Sequence, residues 1–365
     1  MAEIFQNENE SYEIDVPKEK RFLNTMSYDY SVQYLYDLMK KGKIILEVPF
    51  QRKQIWKNDK ASSLLESIIM NVPIPPLYFA EEENGSWLVL DGLQRLSSIK
   101  NYYDNEFALT KLEVLTELNR KKYKDLPPKA KGLLDDGMLR VNVIKKDSHR
   151  DIKYDIFMRL NRGAVTLNYQ ELRNCMYRGN LNDAAKELCL ENVDFLQILK
   201  QKKPHPRYLD VEFIIRYFAI SDNIAVDTNG DVYLEGYKGK LVQYLNEYMD
   251  VHKNCSLEEK QAYKDRFNST IEKVKLVFGL DKAFRDISTE NTKIYKTIAD
   301  FVMPSLERMS IDFVENNKEI IYNRLLGFLK NDDIKYSLSK RTTDKDIVNL
   351  RLKMWFKEFE DAISL

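Results

Sequence analysis

The sequence predicts an α+β protein in which a small mixed α/β core is followed by a mainly α-helical region. In the first part of the chain, short apolar runs bounded by turn residues alternate with segments of helical periodicity. After His149 the apolar residues recur at helical spacing almost throughout. We therefore expect a flexible N-terminus over residues 1–26, an α/β domain over residues 27–148 and a helical domain over residues 149–365.

In the α/β segment, helices are predicted where apolar residues recur at i, i+3, i+4 and i+7, and strands where short apolar runs stop at turn residues. Asn84-Gly85 between two such runs predicts a hairpin turn. In chain order the predicted elements are a helix over Ser31–Lys41, a strand over Ile44–Val48, a helix that opens at Asp59, hairpin strands over Leu77–Ala80 and Trp87–Leu90, a helix over Leu93–Tyr103 and a strand over Leu139–Ile144.

The helical segment contains two capping boxes, in which a side chain at the helix start and a Glu three residues later satisfy the first backbone N–H groups. Asn168 with Glu171 predicts the start of one helix, after an earlier helix that ends at Gly163, and Ser256 with Glu259 predicts the start of another. The further predicted helices cover Asp210–Ile220, Lys240–Met249, 291–309, 316–330 and 343–362, the helix from Ser256 runs to Gly279, and a strand is predicted only over Val232–Leu234.

Composition restricts the class of protein. Lys+Arg and Asp+Glu both number 57, which argues against non-specific coating of nucleic acid, and 44% apolar residues predict a soluble globular protein. The three cysteines form no CxxC pair and have no metal-ligand spacing, which indicates a reducing compartment with buried or idle thiols. Because no signal peptide and no run of 18 apolar residues is present, we expect a cytoplasmic protein without a membrane partner.

The most informative motif is Asp91-Gly92-Leu93-Gln94-Arg95, where an apolar strand ends and a helix begins. A helix N-terminus offers backbone N–H groups and the positive end of the helix dipole, and an arginine forms bidentate contacts with phosphate. Gly92 permits close approach of the backbone to a ligand, and Asp91 is suited to hold a metal ion, to act as a base or to cap the helix. The motif predicts an anion site, although a capped turn with an exposed arginine explains the same residues.

A second polar loop, Pro49-Phe50-Gln51-Arg52, follows a predicted strand and precedes Trp56. If this loop lies beside the first motif, Arg52 completes an anion pocket and Gln51 faces a base or a ribose edge. The alternative is a surface loop next to a half-buried tryptophan.

Arginine and asparagine are also dense around the end of the helix before Gly163, where Arg159, Asn161 and Arg162 occur. These residues indicate either a polar site or a hinge between domains that is held by ion pairs. Farther along the chain, Asp210 and Arg216 lie among apolar helix positions, and we interpret both as structural.

Several common catalytic motifs are absent from the sequence. It contains no GxxxxGK[ST] loop, no GxGxxG after a strand and no recognisable Ser/His/Asp or Cys/His set. The histidines His149, His205 and His252 are scattered and lack metal-ligand spacing, so we expect them at the surface.

The polar motifs together resemble those of the GmrSD restriction-endonuclease N-terminal family over roughly residues 27–250. The matching motifs, in the family's order, are Val48-Pro-Phe-Gln-Arg52 with Trp56, Pro73-Ile-Pro75, Asp91-Gly-Leu-Gln-Arg95-Leu96, Phe157-Met-Arg-Leu-Asn161-Arg-Gly163 and Gln170-Glu-Leu-Arg173-Asn174.

This resemblance implies a ParB/sulfiredoxin-like α/β core followed by helices. It also implies a role in bacterial defence against modified or foreign DNA, in which nucleotide binding and hydrolysis are linked to DNA cleavage. Asp91 and Arg95 would be catalytic, and Asp91 would hold Mg²⁺. The implied nucleotide-binding residues are Gln51, Arg52, Gly92, Gln94, Arg159, Asn161 and Arg162.

The chain departs from the family pattern at two points. Leu93 stands where the family usually has Gln, which implies an altered nucleotide affinity or base choice and puts hydrolysis in question. The sequence also has no His-centred HNH nuclease motif. It therefore resembles the GmrS-like half of the system, whose nuclease would be a separate subunit.

Three functional hypotheses follow. The leading one is an NTP-binding and NTP-hydrolysing subunit of a DNA restriction or anti-phage system. The second is a metal-dependent DNA nuclease that uses Asp91 with Glu47 or Asp59 as metal ligands. The third is a non-enzymatic protein that binds DNA or a partner through the aromatic residues of its helical part, given 12% aromatic residues overall.

Overall fold

The computed structural model describes residues 23–46, 56–160, 168–290 and 292–359. The chain divides into two compact units, one over Ile14–Leu167 and one that includes Asn168–Leu365. We call them the sheet unit and the helical unit. The division lies after the domain boundary that the sequence predicts at residue 148.

The sheet unit contains a mixed sheet of five strands in the order β1-β5-β3-β4-β2. Strand β1 pairs antiparallel with β5, β3 pairs parallel with β5 and antiparallel with β4, and β2 pairs parallel with β4. The elements in chain order are β1 (Thr25–Ser31), α1 (Val32–Lys40), β2 (Ile44–Ile45), α2 (Asn58–Ile69), β3 (Leu77–Glu81), β4 (Trp87–Asp91), α3 (Leu93–Tyr103), α4 (Pro128–Asp135), β5 (Met138–Ile144) and α5 (Arg150–Leu160).

Most of the elements predicted for this unit are confirmed. Helices α1 and α3 and the hairpin of β3 and β4 have nearly the predicted bounds. The alternation predicted for β5 places Leu139, Val141 and Val143 in the core, each at most 4% exposed. The predicted strand over Ile44–Val48 is described only as far as β2, since residues 47 and 48 lie outside the described residues, as does most of the N-terminus predicted to be flexible.

Strand β1 and helix α4 are not among the predicted elements. The β1 sequence is mostly polar, and its strand conformation depends on partners far along the chain. Its Tyr28 and Tyr30 rings stack against Trp87, with centroid distances of 6.4 and 6.0 Å. On the opposite face Asp29 pairs with Arg140 of β5 at 2.7 Å. Cross-strand pairing therefore selects a conformation that local sequence does not indicate.

Glu66 of α2 fixes the irregular segment that follows α3. The side chain is buried, and its carboxylate accepts the backbone N–H groups of Glu113, Val114 and Leu115 at 3.3, 2.9 and 2.8 Å. Burial by itself raises the pKa of Glu66, but the three N–H donors outweigh burial and hold this pKa below its usual value. The fold is thus stabilised by the charged form of this residue.

The described residues of the helical unit form helices and one small two-stranded sheet. The predicted strand over Val232–Leu234 is confirmed, and it pairs antiparallel with a strand that the sequence did not indicate. The elements are α6 (Tyr169–Met176), α7 (Asn180–Glu191), α8 (Val193–Ile198), α9 (Leu209–Asp222), β6 (Ile224–Val226), β7 (Val232–Leu234), α10 (Leu241–His252), α11 (Leu257–Lys282), α12 (Lys296–Arg308), α13 (Ile311–Leu329), α14 (Asp332–Ser339) and α15 (Lys345–Lys357).

Both predicted capping boxes are present at the start of helices α6 and α11. The predicted helices of this unit appear as α9 to α13 and α15, whereas α7, α8 and α14 were not predicted. In α11 the backbone of Gly279 is non-helical, with φ of 63°, close to the predicted end of this helix. The predicted α+β class is therefore confirmed.

Charged side chains are buried between helices α6, α9 and α12. Arg173 and Lys296 donate to the two carboxylate oxygens of Glu212, each at 2.5 Å. Arg216 forms a bidentate pair with Asp300 at 2.6 and 2.5 Å. This pairing agrees with the structural interpretation of Arg216 and shows that its partner comes from a distant helix.

The three cysteines are buried, as the sequence indicated. Among the described residues, no helix combines the length and the apolar character that crossing a membrane requires.

We expect Glu66→Gln to destabilise the segment at residues 113–115 by about 1–3 kcal/mol, because the amide of Gln brings an N–H donor against backbone donors. Hydrogen exchange of these three amides is the measurement. Since the folded pKa of Glu66 is lowered, its contribution is present above the pKa of the unfolded chain and is lost as pH falls through the folded pKa. The variant should lose this acid dependence.

The matched control for this variant is Glu113→Gln, because Glu113 is an exposed acidic residue of the same segment. This control should leave exchange unchanged. Equal exchange in Glu66→Gln and in the wild type would contradict the role assigned to the Glu66 carboxylate.

We expect Asp300→Asn to destabilise the helical unit by about 3–5 kcal/mol, because it removes the negative charge that pairs with the buried Arg216 guanidinium. Urea unfolding of the variant tests this expectation. Asp231→Asn, which breaks the exposed pair with Lys353, should cost less than about 1 kcal/mol. Similar losses of unfolding free energy in the two variants would show that the buried pair contributes no more to stability than the exposed one.

Candidate functional site

The candidate site lies where β4 ends and α3 begins. Strand β4 is an apolar run that stops at Asp91, and Gly92 then forms the N-cap of α3 with φ of 100°. This backbone conformation favours glycine. A Cβ on Gly92 would lie 2.2 Å from Leu77 Cδ2 and 3.2 Å from Arg95 Nη2. Glycine is therefore required here by the turn and by packing within the unit.

Arg95 lies inside the unit, with only 9% of the residue exposed. Its Nη2 donates to Asp91 Oδ2 at 2.6 Å and to the Pro76 carbonyl at 3.2 Å. Its Nη1 donates to the Pro75 carbonyl. The guanidinium thus ties the first turn of α3 to the end of β4 and to the proline-rich segment before β3.

Burial lowers the pKa of Arg95, and the neighbouring Asp91 carboxylate opposes this effect. An arginine keeps its proton even in such an environment, so the contact is an ion pair. The positive charge of Arg95 is consequently compensated by Asp91 and by two backbone carbonyls.

Asp91 is the accessible charged group of this turn. Its side chain is 43% exposed although Oδ2 accepts from Arg95. Beside it, the first turn of α3 contains no acidic residue. The first backbone N–H groups of a helix have no acceptor within the helix, and they attract anions. The turn therefore combines an anchored carboxylate with a helix N-terminus.

Gln94, in the first turn of α3, connects the turn to the segment before α2. Its Oε1 accepts the backbone N–H of Trp56 at 3.0 Å. The Trp56 side chain is partly exposed, and the ammonium of Lys60 lies 4.4 Å from the centroid of its ring. The backbone of the residue that bears this aromatic ring is thus tied to the first turn of α3 by one hydrogen bond.

The structure brings together Asp91, Gly92, Gln94 and Arg95 among the predicted site residues. Arg159 lies on α5, which packs against β4, and its exposed side chain pairs with Asp155 at 2.7 Å. The other predicted residues, Gln51, Arg52, Asn161 and Arg162, and the alternative metal ligand Glu47, lie outside the described residues.

Metal-binding groups are sparse in the part of the chain that the structure describes. No set of three or more His, Cys, Asp and Glu side chains is placed there to hold a metal ion. Asp59, the other ligand of the nuclease hypothesis, accepts the backbone N–H of Lys60 at 2.8 Å and lies 3.5 Å from Lys111 Nζ. His149, His205 and His252 are partly buried, in contrast to the surface positions expected.

Sequence reasoning did not indicate three features of this site. Lys60 was not singled out, although it follows Trp56 by only four residues at the start of α2. The carbonyls of Pro75 and Pro76 were not recognised as acceptors for Arg95. A Pro-Pro pair offers carbonyls without N–H groups, and this is the property that could have identified them.

Comparison with known proteins finds one family model that matches part of the chain. The family model of the GmrSD restriction endonuclease N-terminal domain matches residues 35–178. No curated protein matches the chain significantly.

Two solved structures of ParB N-domains are also similar to the chain. One is the C2221 form of a Pnob8-like ParB-N domain, with 14% identity, coverage of 94% of this chain and 99% of that chain, and a TM-score of 0.23. The other, a pNOB8-like ParB N-domain, has 14% identity, coverage of 91% and 97%, and a TM-score of 0.23.

We expect Gly92→Ala to destabilise the sheet unit by about 2–4 kcal/mol, because it combines a strained backbone with a clash against Leu77. Gly42→Ala is the matched control, since Gly42 has φ of 70° and nothing within 4 Å of an added Cβ. The control should cost about 1 kcal/mol from strain alone. Urea unfolding of both variants gives the difference, and equal losses would refute the clash.

Proposed function

We propose that the protein is a nucleotide-binding and NTP-hydrolysing subunit of a bacterial DNA restriction or anti-phage system, since residues 35–178 match the family model of the GmrSD restriction endonuclease N-terminal domain. The observation that carries the proposal is the accessible Asp91 carboxylate at the N-terminus of α3, held in place by Arg95. DNA is the proposed target, and a separate nuclease subunit is the proposed partner.

The N-terminus of α3 supports binding of the phosphate groups. Its positive dipole end and its first N–H groups stabilise negative charge without any side chain. Helix α3 has 11 residues, and its N-cap is a glycine without a capping side chain, so no side chain from that position competes for these donors. Gln94 lies in the same turn, and we assign it to the nucleotide site.

The residues at the turn also fit a magnesium ion. Mg²⁺ is commonly bound by one or two carboxylates, with waters and substrate phosphates as its other ligands, so a single protein ligand suffices. Asp91 provides that carboxylate, and the bond from Arg95 to Oδ2 fixes its orientation. When bound, the ion would neutralise charge on the phosphates during phosphoryl transfer.

Arg95 acts in this proposal as a positioning residue. A direct grip on phosphate would require the guanidinium to leave Asp91 and two carbonyls inside the unit. Arg95 instead sets the orientation of Asp91 and of the first turn of α3. Phosphoryl transfer depends mainly on positioning and electrostatic stabilisation, to which a fixed carboxylate contributes.

Leu93, which stands where the resembling family usually has Gln, is compatible with a functional nucleotide site. The Leu93 side chain is only 8% exposed, so this position faces the interior of the sheet unit. An apolar residue here is accommodated by packing. This burial supports a nucleotide site that does not depend on a polar side chain at position 93.

The two alternative hypotheses have less support. In the nuclease hypothesis, Asp59 is engaged by the Lys60 backbone N–H and lies 3.5 Å from Lys111 Nζ, and Glu47 lies outside the described residues. Binding of DNA or a partner through aromatic residues of the helical unit is disfavoured because many of these rings, such as Phe195, Phe218 and Phe267, are fully buried in its core.

We expect Asp91→Asn to lower phosphate release from NTP in the presence of Mg²⁺ at least about tenfold, because the amide still accepts from Arg95 but lacks the charge that holds the ion. The measurement is release from each of the four NTPs, with and without DNA. Asp59→Asn is the matched control and should keep wild-type release, since Asp59 also opens a helix at a partly exposed position.

If the wild-type protein releases no phosphate from any NTP, the proposed NTP hydrolysis is wrong. Metal-dependent DNA cleavage by the purified protein without NTP, lost in both aspartate variants, would favour the nuclease hypothesis instead.

A further inference from the structure

The Trp56 ring and the Lys60 ammonium form a feature that the proposed function has not used. Lys60 is exposed, and its Nζ lies 4.4 Å from the ring centroid. Since an exposed lysine reaches the ring face, that face is accessible from solvent. A partly exposed indole face with a cation on it is suited to stack a planar, electron-deficient group.

The backbone of the ring-bearing residue is hydrogen-bonded to the candidate site. The Trp56 backbone N–H donates to Gln94 Oε1 at 3.0 Å, and Gln94 follows Asp91 by three residues within the first turn of α3. This bond places the aromatic residue beside the turn to which the phosphates are assigned. A nucleotide carries its base and its phosphates within one small molecule, so the two features match the two ends of one ligand.

We propose that the Trp56 ring is the base-stacking platform of the nucleotide site and that Lys60 contacts the phosphates of the same nucleotide. This inference rests on the proposed function. The base takes the place of the ammonium on the ring face, and the flexible lysine side chain turns toward the negative charge. Stacking of a base on an aromatic ring is stronger than an exposed cation–π contact, so the exchange is favourable.

The proposal also predicts a preference among nucleotides. A purine covers more of the indole face than a pyrimidine does, and stacking strength follows the shared area. Stacking does not read the base edges. We therefore expect the site to favour purine over pyrimidine NTPs without a strong choice between ATP and GTP.

A second lysine–tryptophan pair in the sheet unit shows what a structural contact of this kind looks like. Lys43 Nζ lies 5.0 Å from the Trp87 ring centroid, but it also donates to the Gly85 carbonyl. Trp87 is only 9% exposed and stacks with Tyr28 and Tyr30. It begins β4, at the opposite end of the strand from Asp91, and provides a matched control.

The test compares binding of ATP, UTP and inorganic tripolyphosphate to the full chain with Mg²⁺ by titration calorimetry. We expect Trp56→Leu to weaken ATP binding roughly tenfold and to leave tripolyphosphate binding unchanged, because only the base loses its platform. Trp56→Phe, which keeps an aromatic face, should retain most of the affinity. Lys60→Met should weaken ATP and tripolyphosphate alike, and Trp87→Phe should change neither.

The possible outcomes separate this inference from the proposed function. If Trp56→Leu weakens tripolyphosphate as much as ATP, Trp56 only supports the fold of the site and the inference is wrong. Unchanged ATP binding in Trp56→Leu also overturns it, while the proposed function survives. A wild-type protein that binds neither probe overturns both. Thermal unfolding of each variant confirms that the sheet unit is intact.

Discussion

The contacts of one guanidinium determine the geometry of the sheet unit at its candidate site. Arg95 joins the end of β4, the start of α3 and the proline-rich segment before β3 through Asp91 and two carbonyls. Gly92 is part of the same arrangement, because a side chain there would meet both Leu77 and Arg95. The strand, the turn and the helix are therefore fixed relative to one another before any ligand arrives. A binding site prepared in this way loses little entropy on binding.

In the helical unit, buried ion pairs connect different helices. Glu212 is shared by Arg173 and Lys296, and although burial raises its pKa, these two cations outweigh burial and lower it. Buried ion pairs contribute little net stability compared with apolar contacts, but a misplaced charge in a core is very costly. Such pairs thus favour one alignment of helices α6, α9 and α12 over alternatives that apolar packing alone would tolerate.

The elements that could be predicted from the sequence are those with local causes. Helices α1 and α3 follow from apolar periodicity, the β3–β4 hairpin from Asn84-Gly85, and the starts of α6 and α11 from capping boxes. The residues of the β4–α3 turn were identified for the same reason. The orientation of Arg95 could not be predicted, since two of its three acceptors are backbone carbonyls about twenty residues away along the chain. Strand β1 was missed because its partner lies at the far end of the unit.

Strand β1 has one further consequence, which concerns the solution behaviour of the protein. Among the described strands it forms one end of the sheet, where one side of its backbone offers hydrogen-bonding groups to a strand that approaches. Asp29 lies in the middle of this edge strand, and its carboxylate is held by Arg140 of β5 in an exposed ion pair. Charged side chains on an edge strand disfavour pairing with a further strand. The polar composition that makes β1 difficult to recognise as a strand thus disfavours polymerisation of the protein through this edge of its sheet.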